Sequence, residues 1–466
     1  MSILSFITEV SLNELEEESS SLLLSRQMLD KLSLKAGSEQ YVFFGTKKTA
    51  CTISIAVDEK NDRCFLSKKA WDSLSIPFPV KLNILSSDTG DIYLGPVVGI
   101  YTAGFTGNLL RPAGERSFLF AKYISAAKAA GVLAFIFGSH HLMWEEGTVE
   151  GYTYGRKGWK KIKVPLPNVV YDRLPNRKTE EHPLYAETRD RLQNEYSIPW
   201  FNPGFFDKWT VYNQLSGYPM VSSLMPRTIS APSAVEVKEF IEKYKHIYIK
   251  PKNGSLGLGI HQIIFDPDEQ LYYCRFRDHS RNRLRRYGSL NGLLKTQFPH
   301  GYENMVIQQG IDLLKYQNNP IDFRIHTNKD ETGKWRITAI AAKVAGAGSV
   351  TTHVKSGGQV KSVNEIWEEL QLGRDLLDDL KNISLKLSTA IDETTDGCIG
   401  EIGFDIGIDE KENIWMFEAN SKPGRTIFFH PKLKREDLLT RKLPMDYAVC
   451  LFRKSIEAAA AEGVTM

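Results

Sequence analysis

The chain has 466 residues, 42% hydrophobic and 25% charged, a balance that fits a folded protein of two to four domains with a sizeable core. Its net charge of +3 gives no case for bulk nucleic-acid binding. The five cysteines, Cys51, Cys64, Cys274, Cys398 and Cys450, form no C-x-x-C pair, which argues against a zinc site or disulfide framework and predicts reduced, packed thiols.

Residues 1–35 carry Leu12, Leu15, Leu22, Leu23, Leu24, Met28, Leu29 and Leu32 among acids and serines, a helix-like pattern. From Gln40 to about Thr102 short apolar runs (41–45, 52–57, 80–85, 92–94) alternate with turn residues, which predicts strands and a small β-barrel. An Ala-rich stretch, 121–130, ahead of the apolar run 132–137 predicts an α/β layer. Residues 159–173 read as a further strand after a Pro turn, and 186–195 as a connecting helix. Beyond them, 233–245 reads as a helix, 246–250 as a strand and 265–286 as a β-hairpin. Residues 365–391 read as the longest helix, and 445–462 as an Ala-rich closing helix. No repeat of 20–50 residues is evident. The fold class expected is mixed α/β. Its divisions are a helix plus barrel-like domain (1–105), an α/β layer (106–200) and a third domain (201–466). No basic region precedes an apolar run at the start, and no stretch of about 18 apolar residues occurs. A cytoplasmic chain without membrane contact is therefore expected, unless it is later adsorbed to a shell.

Two segments carry the chemistry. Residues 398–424 alternate as two apolar runs around the polar turn 409–413. Folding about that turn sets Asp405 opposite Glu418, with Asn420 on the face of Glu418. Two carboxylates and an amide oxygen suit a hard cation such as Mg²⁺, which shares its shell with nucleotide phosphates. The alternative is a hairpin with solvated acids. Upstream, a strand ending in Lys250 runs into a loop with Gly254, Ser255, Gly257 and Gly259. Glycines there let successive N–H groups point at an anion, with Lys250 as a point charge and Ser255 as a hydroxyl donor. Neither G-x-x-x-x-G-K-[S/T] nor G-x-G-x-x-G fits, and a kinase would place its lysine after the loop.

The order of strand lysine, Gly/Ser loop and late Asp…Glu-x-Asn hairpin resembles the ATP-grasp superfamily from about Phe201 onward. On that resemblance Lys208 is a first nucleotide-binding lysine. The backbone of 306–311, with Gln308, Gln309 and Ile311, meets adenine. Asp322 lies near ribose and Arg324 near the phosphates, and Lys343 stands where many members have arginine. Residues 94–101, 169–173 and 401–407 further resemble the YheC/YheD group of endospore-coat-associated ATP-grasp proteins. Many of those relatives have Asn where this chain has His353. The resemblance implies an ATP-grasp domain over 201–466 that takes ATP and one or two Mg²⁺ ions. It implies a carboxylate–amine ligase acting through an acyl phosphate. The acid and amine (amino acid, peptide or protein) are not specified by the residues. Spore-coat proteins as partners and a spore-coat location follow from the resemblance alone. A nucleotide-binding scaffold without turnover and a phosphotransferase acting on a hydroxyl are the alternatives.

Arg425, just past the metal hairpin, is expected near the transferring phosphate or an acidic substrate. Arg275, Arg277, Arg281, Arg283, Arg285 and Arg286 cluster around Asp278 and His279, either as a docking patch for an acidic polymer or peptide or as a solvated face. Lys355 with Gly357 and Gly358 reads as a loop over the site or a surface turn. His140 and His141 read as a loop or core pair, and Glu401 as structural.

Overall fold

The computed structural model describes residues 5–13, 19–56, 63–252, 259–278, 281–346, 348–350, 352 and 357–462. Strands Ser5–Leu12, Arg63–Leu66, Ser21–Leu24, Lys47–Ile55, Glu39–Phe44, Ile92–Gly95 and Val80–Ser86 pair in that order into a closed barrel. Val10, Leu22, Leu24, Val42, Ile53, Leu82 and Ile84 are buried in its core. The helix-like pattern of 1–35 resolves differently from expectation. Leu12 and Leu22 to Leu24 sit on strands, and only Arg26–Leu32 is helical; Leu15 lies outside the described residues. A short apolar run covered on both faces satisfies either period, so spacing does not separate the two.

The barrel ends at Gly95 rather than near 105. Val97–Tyr101 instead opens a second sheet, parallel to Leu133–Phe137 and Val169–Asp172, the latter parallel to Trp200–Phe201. These strands are continuous apolar runs because both faces are covered. The hairpin Thr148–Gly155 with Gly158–Pro165 adds to one side. Barrel and layer meet at Gly131, whose carbonyl accepts from the Asn83 amide at 2.9 Å. Its φ is +65°, and a Cβ there would stand 2.7 Å from Asn83 Nδ2, so only glycine fits without displacement.

Helix Ser117–Ala127 and the 29-residue helix Lys434–Glu462 cover the second sheet. Met445, Tyr447, Val449, Leu451, Phe452 and Ile456 pack with Val98, Ile100, Tyr123 and Tyr171. The closing helix therefore starts at Lys434, runs through Pro444, and is longer than the one expected over 365–391. That stretch breaks into Val363–Glu369 and Arg374–Thr394, because Gln371 turns to φ +53° and Gly373 starts the next helix.

Two further sheets follow. The first has the order Thr228–Ser230, Met305–Gln309, His246–Pro251, His261–Asp266, Leu271–Asp278, Arg281–Tyr287. Helices Ala234–Tyr244 and Leu290–Gln297 cover one face, burying Val237, Phe240, Leu290 and Leu293 against Ile247, Ile249 and Ile263. The second has the order Gln359–Ser362, Trp335–Val344, Asn319–Lys329, Glu401–Ile408, Ile414–Asn420. Helix Arg374–Thr394 packs Leu380, Leu387 and Ile391 on Phe323, Ile325 and Phe404. All five cysteines are free and four are buried. Among the described residues no helix is long and apolar enough to cross a membrane.

Candidate functional site

The uncovered faces of the last two sheets enclose a cleft of about 600 Å³. Strand alternation decides what enters it. On Asn319–Lys329, Phe323 and Ile325 face the helix, so Asp322 and Arg324 face the cleft. Antiparallel register then sets Lys343 beside Asp322, Asp405 beside Arg324, and Glu418 beside Asp405. Asn420 lies two residues on, opposite Gly403, and also lines the cleft.

The floor is a charge lattice. Arg324 holds Asp405 with two nitrogens, Nε to Oδ1 at 2.9 Å and Nη2 to Oδ2 at 3.0 Å. Lys343 Nζ donates to Asp405 Oδ1 at 2.8 Å and pairs with Asp322 Oδ1 at 2.9 Å. Burial opposes the charge on Lys343, but Asp322 and Asp405 outweigh it and raise its pKa. Thr352 donates to Asp322 Oδ2 at 2.5 Å. Lys208, the first residue of helix Lys208–Ser216, is oriented by Asp207, which caps that helix from Oδ1 to the Trp209 and Thr210 N–H groups. Lys208 reaches Glu418 at 3.4 Å.

The roof is supplied by the other sheet. Lys250 donates to Gln308 Oε1 at 2.8 Å, and Gln308 donates in turn to Thr228 Oγ1 at 3.0 Å. Burial, with Lys208 nearby, pushes the Lys250 amine down to about 8. Gln309 and Ile311 line the cleft from the strand end and the connection that follows it. Tyr248, Gln262 and Arg275 line it too, in one row across three strands. Tyr248 was legible as two residues before Lys250 on the same strand face; Gln262 had no signal without the register.

Of the expected site residues, the structure gathers Lys208, Lys250, Gln308, Gln309, Ile311, Asp322, Arg324, Lys343, Asp405, Glu418 and Asn420 around one cleft. Gly254, Ser255 and Gly257 lie outside the described residues, as do His279, His353 and Lys355. Gly259, with φ +73°, ends that loop beside Pro251 and is not part of the cleft wall.

Arg425 is a correction. It turns away from the cleft, although Gly424, Thr426 and Ile427 line it. Its guanidinium pairs with the fully buried Glu401 at 2.6 Å, also held by Arg173 at 3.1 Å. It donates to the Thr440 carbonyl at 3.0 Å. That carbonyl stands four residues before Pro444, where a helical N–H is missing, so Arg425 supplies the donor that proline cannot. Lys422 is likewise drawn off, to Asp172 at 2.7 Å. His141 is buried, and its Nδ1 accepts from the Gly138 N–H at 3.0 Å in a local turn.

Among the described residues no three His, Cys, Asp or Glu side chains form a metal-binding group. The hairpin set is two carboxylates and an amide, all oxygen donors, which fits Mg²⁺ sharing its shell with nucleotide phosphates.

The YheC/D like ATP-grasp family matches residues 197–451. The chain is 42% identical over 430 residues to the endospore coat-associated protein YheD of Bacillus subtilis (strain 168), covering 92% of this chain and 94% of that protein. It is 23% identical over 270 residues to the endospore coat-associated protein YheC of the same strain, 57% of this chain and 73% of that protein. A D-alanine–D-alanine ligase structure from Bacillus anthracis overlaps 78% of this chain and 100% of its own at 12% identity and a TM-score of 0.45, too loose a likeness to bear on chemistry. With a family match over more than half its length and a relative this similar, the chain belongs to the YheC/D-like ATP-grasp family.

Proposed function

We propose that the chain is an ATP- and Mg²⁺-dependent carboxylate–amine ligase. The observation that carries this reading is a single cleft where Lys208, Lys250, Arg324 and Lys343 meet Asp405, Glu418 and Asn420. A carboxylate is a poor electrophile because its oxygen does not leave at neutral pH. Transfer of the γ-phosphoryl of ATP to it gives an acyl phosphate and ADP. An amine then attacks the acyl carbon, phosphate leaves, and a proton is released from the nitrogen. No protein nucleophile is required, so the protein's work is positioning and charge neutralisation.

Each cation has a station in that scheme. Lys250 and Lys208 face the phosphates from the roof and the adjoining helix. Arg324 and Lys343 offset charge from the floor, and Asp322 is placed for the ribose. Asp405, Glu418 and Asn420 would hold Mg²⁺, one ion or two, which when bound supplies charge neutralisation on the phosphate oxygens. Gln308 to Ile311 provide the adenine wall. The similarity to the endospore coat-associated protein YheD further motivates a place in spore-coat formation, with coat proteins as candidate acceptors.

The test is ADP and phosphate release from ATP–Mg²⁺ with pooled amino acids and short acidic peptides, wild type beside Glu418→Gln. Substrate-stimulated release that the variant loses, with an amide-linked product by mass spectrometry, is the expected result. Unchanged ATP consumption in the variant would sink the assignment. Release with a phosphorylated hydroxyl product would replace the ligase by a phosphotransferase. Tight ATP binding without release in any pool would favour a scaffold.

A further inference from the structure

The arginine cluster of the sequence has a definite place in the fold. Strands Leu271–Asp278 and Arg281–Tyr287 are the outer two of the roof sheet, and the second is its edge. Together they carry six arginines against one acid, Asp278, more positive charge than the net +3 of the whole chain. The row Tyr248, Gln262, Arg275 that lines the cleft continues by register to Leu284 on the edge strand. Leu284 is 54% exposed. Alternation puts Arg277 and Arg286 on the same face as Arg275, and Arg281, Arg283 and Arg285 on the other. The shelf therefore begins inside the cleft and runs out to a strand that, among the described residues, pairs on one side only.

Charge alone is a common guard on an edge strand. Guarding does not require an arginine on the inner strand, inside the cleft, and an exposed leucine at the centre works against it. Arginine around one apolar anchor is instead the composition of a recognition surface. A free edge offers main-chain hydrogen bonds to an extended polypeptide. Single-stranded nucleic acid would want stacking rings beside the cations. On the cleft-side face of this hairpin the edge strand contributes Asn282, Leu284 and Arg286. The inner strand adds one ring, Tyr273, whose hydroxyl is taken by Glu269, so the hairpin offers no run of rings for successive bases.

We propose that this hairpin is a docking shelf for an acidic polypeptide, which pairs along the edge of Arg281–Tyr287 and presents a carboxylate to the cleft. The second half of that statement rests on the ligase reading; the docking does not.

The test uses the full chain and a short fluorescein-labelled glutamate-rich peptide, followed by fluorescence anisotropy at low and high salt. Wild type should bind, and the triple variant Arg281→Glu, Arg283→Glu, Arg286→Glu should bind about tenfold or more weakly. These side chains are exposed, so the variant should keep its melting temperature. The neutral set Arg281→Gln, Arg283→Gln, Arg286→Gln should fall between the two. Glu418→Gln should bind the peptide as wild type does, whatever becomes of ATP turnover. Docking that survives while the peptide stimulates no ADP release would strike the carboxylate-delivery half and leave the shelf standing. No binding by wild type, equal binding by the triple variant, or tighter arginine-dependent binding of a labelled RNA oligomer would each overturn the proposal.

Discussion

Lys250 is the residue whose behaviour should be easiest to read. Its amine is held down to about 8 by burial and by Lys208, below the 10.5 of a free lysine. Above that value it is neutral and offers the nucleotide no charge; below it the cation is present. ATP affinity should therefore fall as pH rises, by about tenfold between pH 7 and pH 9. Lys250→Arg stays charged throughout and should flatten the profile, which calorimetric titration would check. Glu401 makes a different prediction. It is fully buried between Arg173 and Arg425, so Glu401→Gln leaves two guanidiniums without a countercharge. The expected loss is about 3–5 kcal/mol of unfolding free energy, measured in urea, with the cleft lining itself untouched. Asp405, Glu418 and Asn420 were legible from alternation and hairpin pairing, which are local rules. A register shift between Asp405 and Ile406, which no spacing announces, is nevertheless what sets Glu418, and not Phe417, against Asp405. Lys208, Gln308, Gln309, Ile311, Asp322, Arg324 and Lys343 were expected from the family resemblance alone. Arg425 was misread because adjacency in sequence was taken for adjacency in space. The chain leaves its strand at Asn420, passes Gly403 closely enough that a Cβ there would meet Pro423 at 2.4 Å, and swings the arginine behind the sheet.

At the scale of elements, short reciprocal contacts fix how segments meet. Helix Val363–Glu369 opens with a capping box. Ser362 N–H and O–H donate to Glu365 Oε2 at 2.8 and 2.7 Å, and the Glu365 N–H returns to Ser362 Oγ at 3.4 Å. Lys432, from the short helical turn Pro431–Leu433, reaches the same carboxylate at 3.1 Å. The hydrogen bonds from Ser362, with Lys432, hold the Glu365 pKa down to about 2. Its contribution is therefore present above the ordinary carboxylate value of 4.5 and is lost as pH falls toward about 2. Glu365→Gln should cost about 1 kcal/mol near neutral pH and should blunt the loss on acidification, as read by thermal melting across pH. A helix was expected over 233–245, and in the structure Ser233 and Glu236 form the capping box that starts Ala234–Tyr244. The break between Val363–Glu369 and Arg374–Thr394 was not expected, because a non-glycine residue, Gln371, takes the left-handed turn.

Across the whole molecule, the chain's last helix belongs to its second sheet. Six of its buried side chains, Met445, Tyr447, Val449, Leu451, Phe452 and Ile456, complete the core around Val98, Ile100 and Tyr123. At roughly 1.5–3 kcal/mol each, they match the entire stability of a typical domain, about 5–15 kcal/mol. Deleting Lys434–Glu462 should thus unfold the middle layer as well as the region that carries the helix. Loss of a cooperative urea transition, with dye-binding apolar surface, is the expected outcome; a truncated chain that melts like wild type would refute it. No local pattern announces this, because the partners lie more than three hundred residues apart in sequence.

That placement also sets an order on synthesis. A ribosome making this chain releases the barrel and the parallel strands long before Met445 to Ile456 exist. Until those residues emerge, Val98, Ile100, Tyr123 and Tyr171 face water or a neighbour's apolar surface. The barrel can close during translation, while the layer between it and the cleft waits until Met445 to Ile456 have been made.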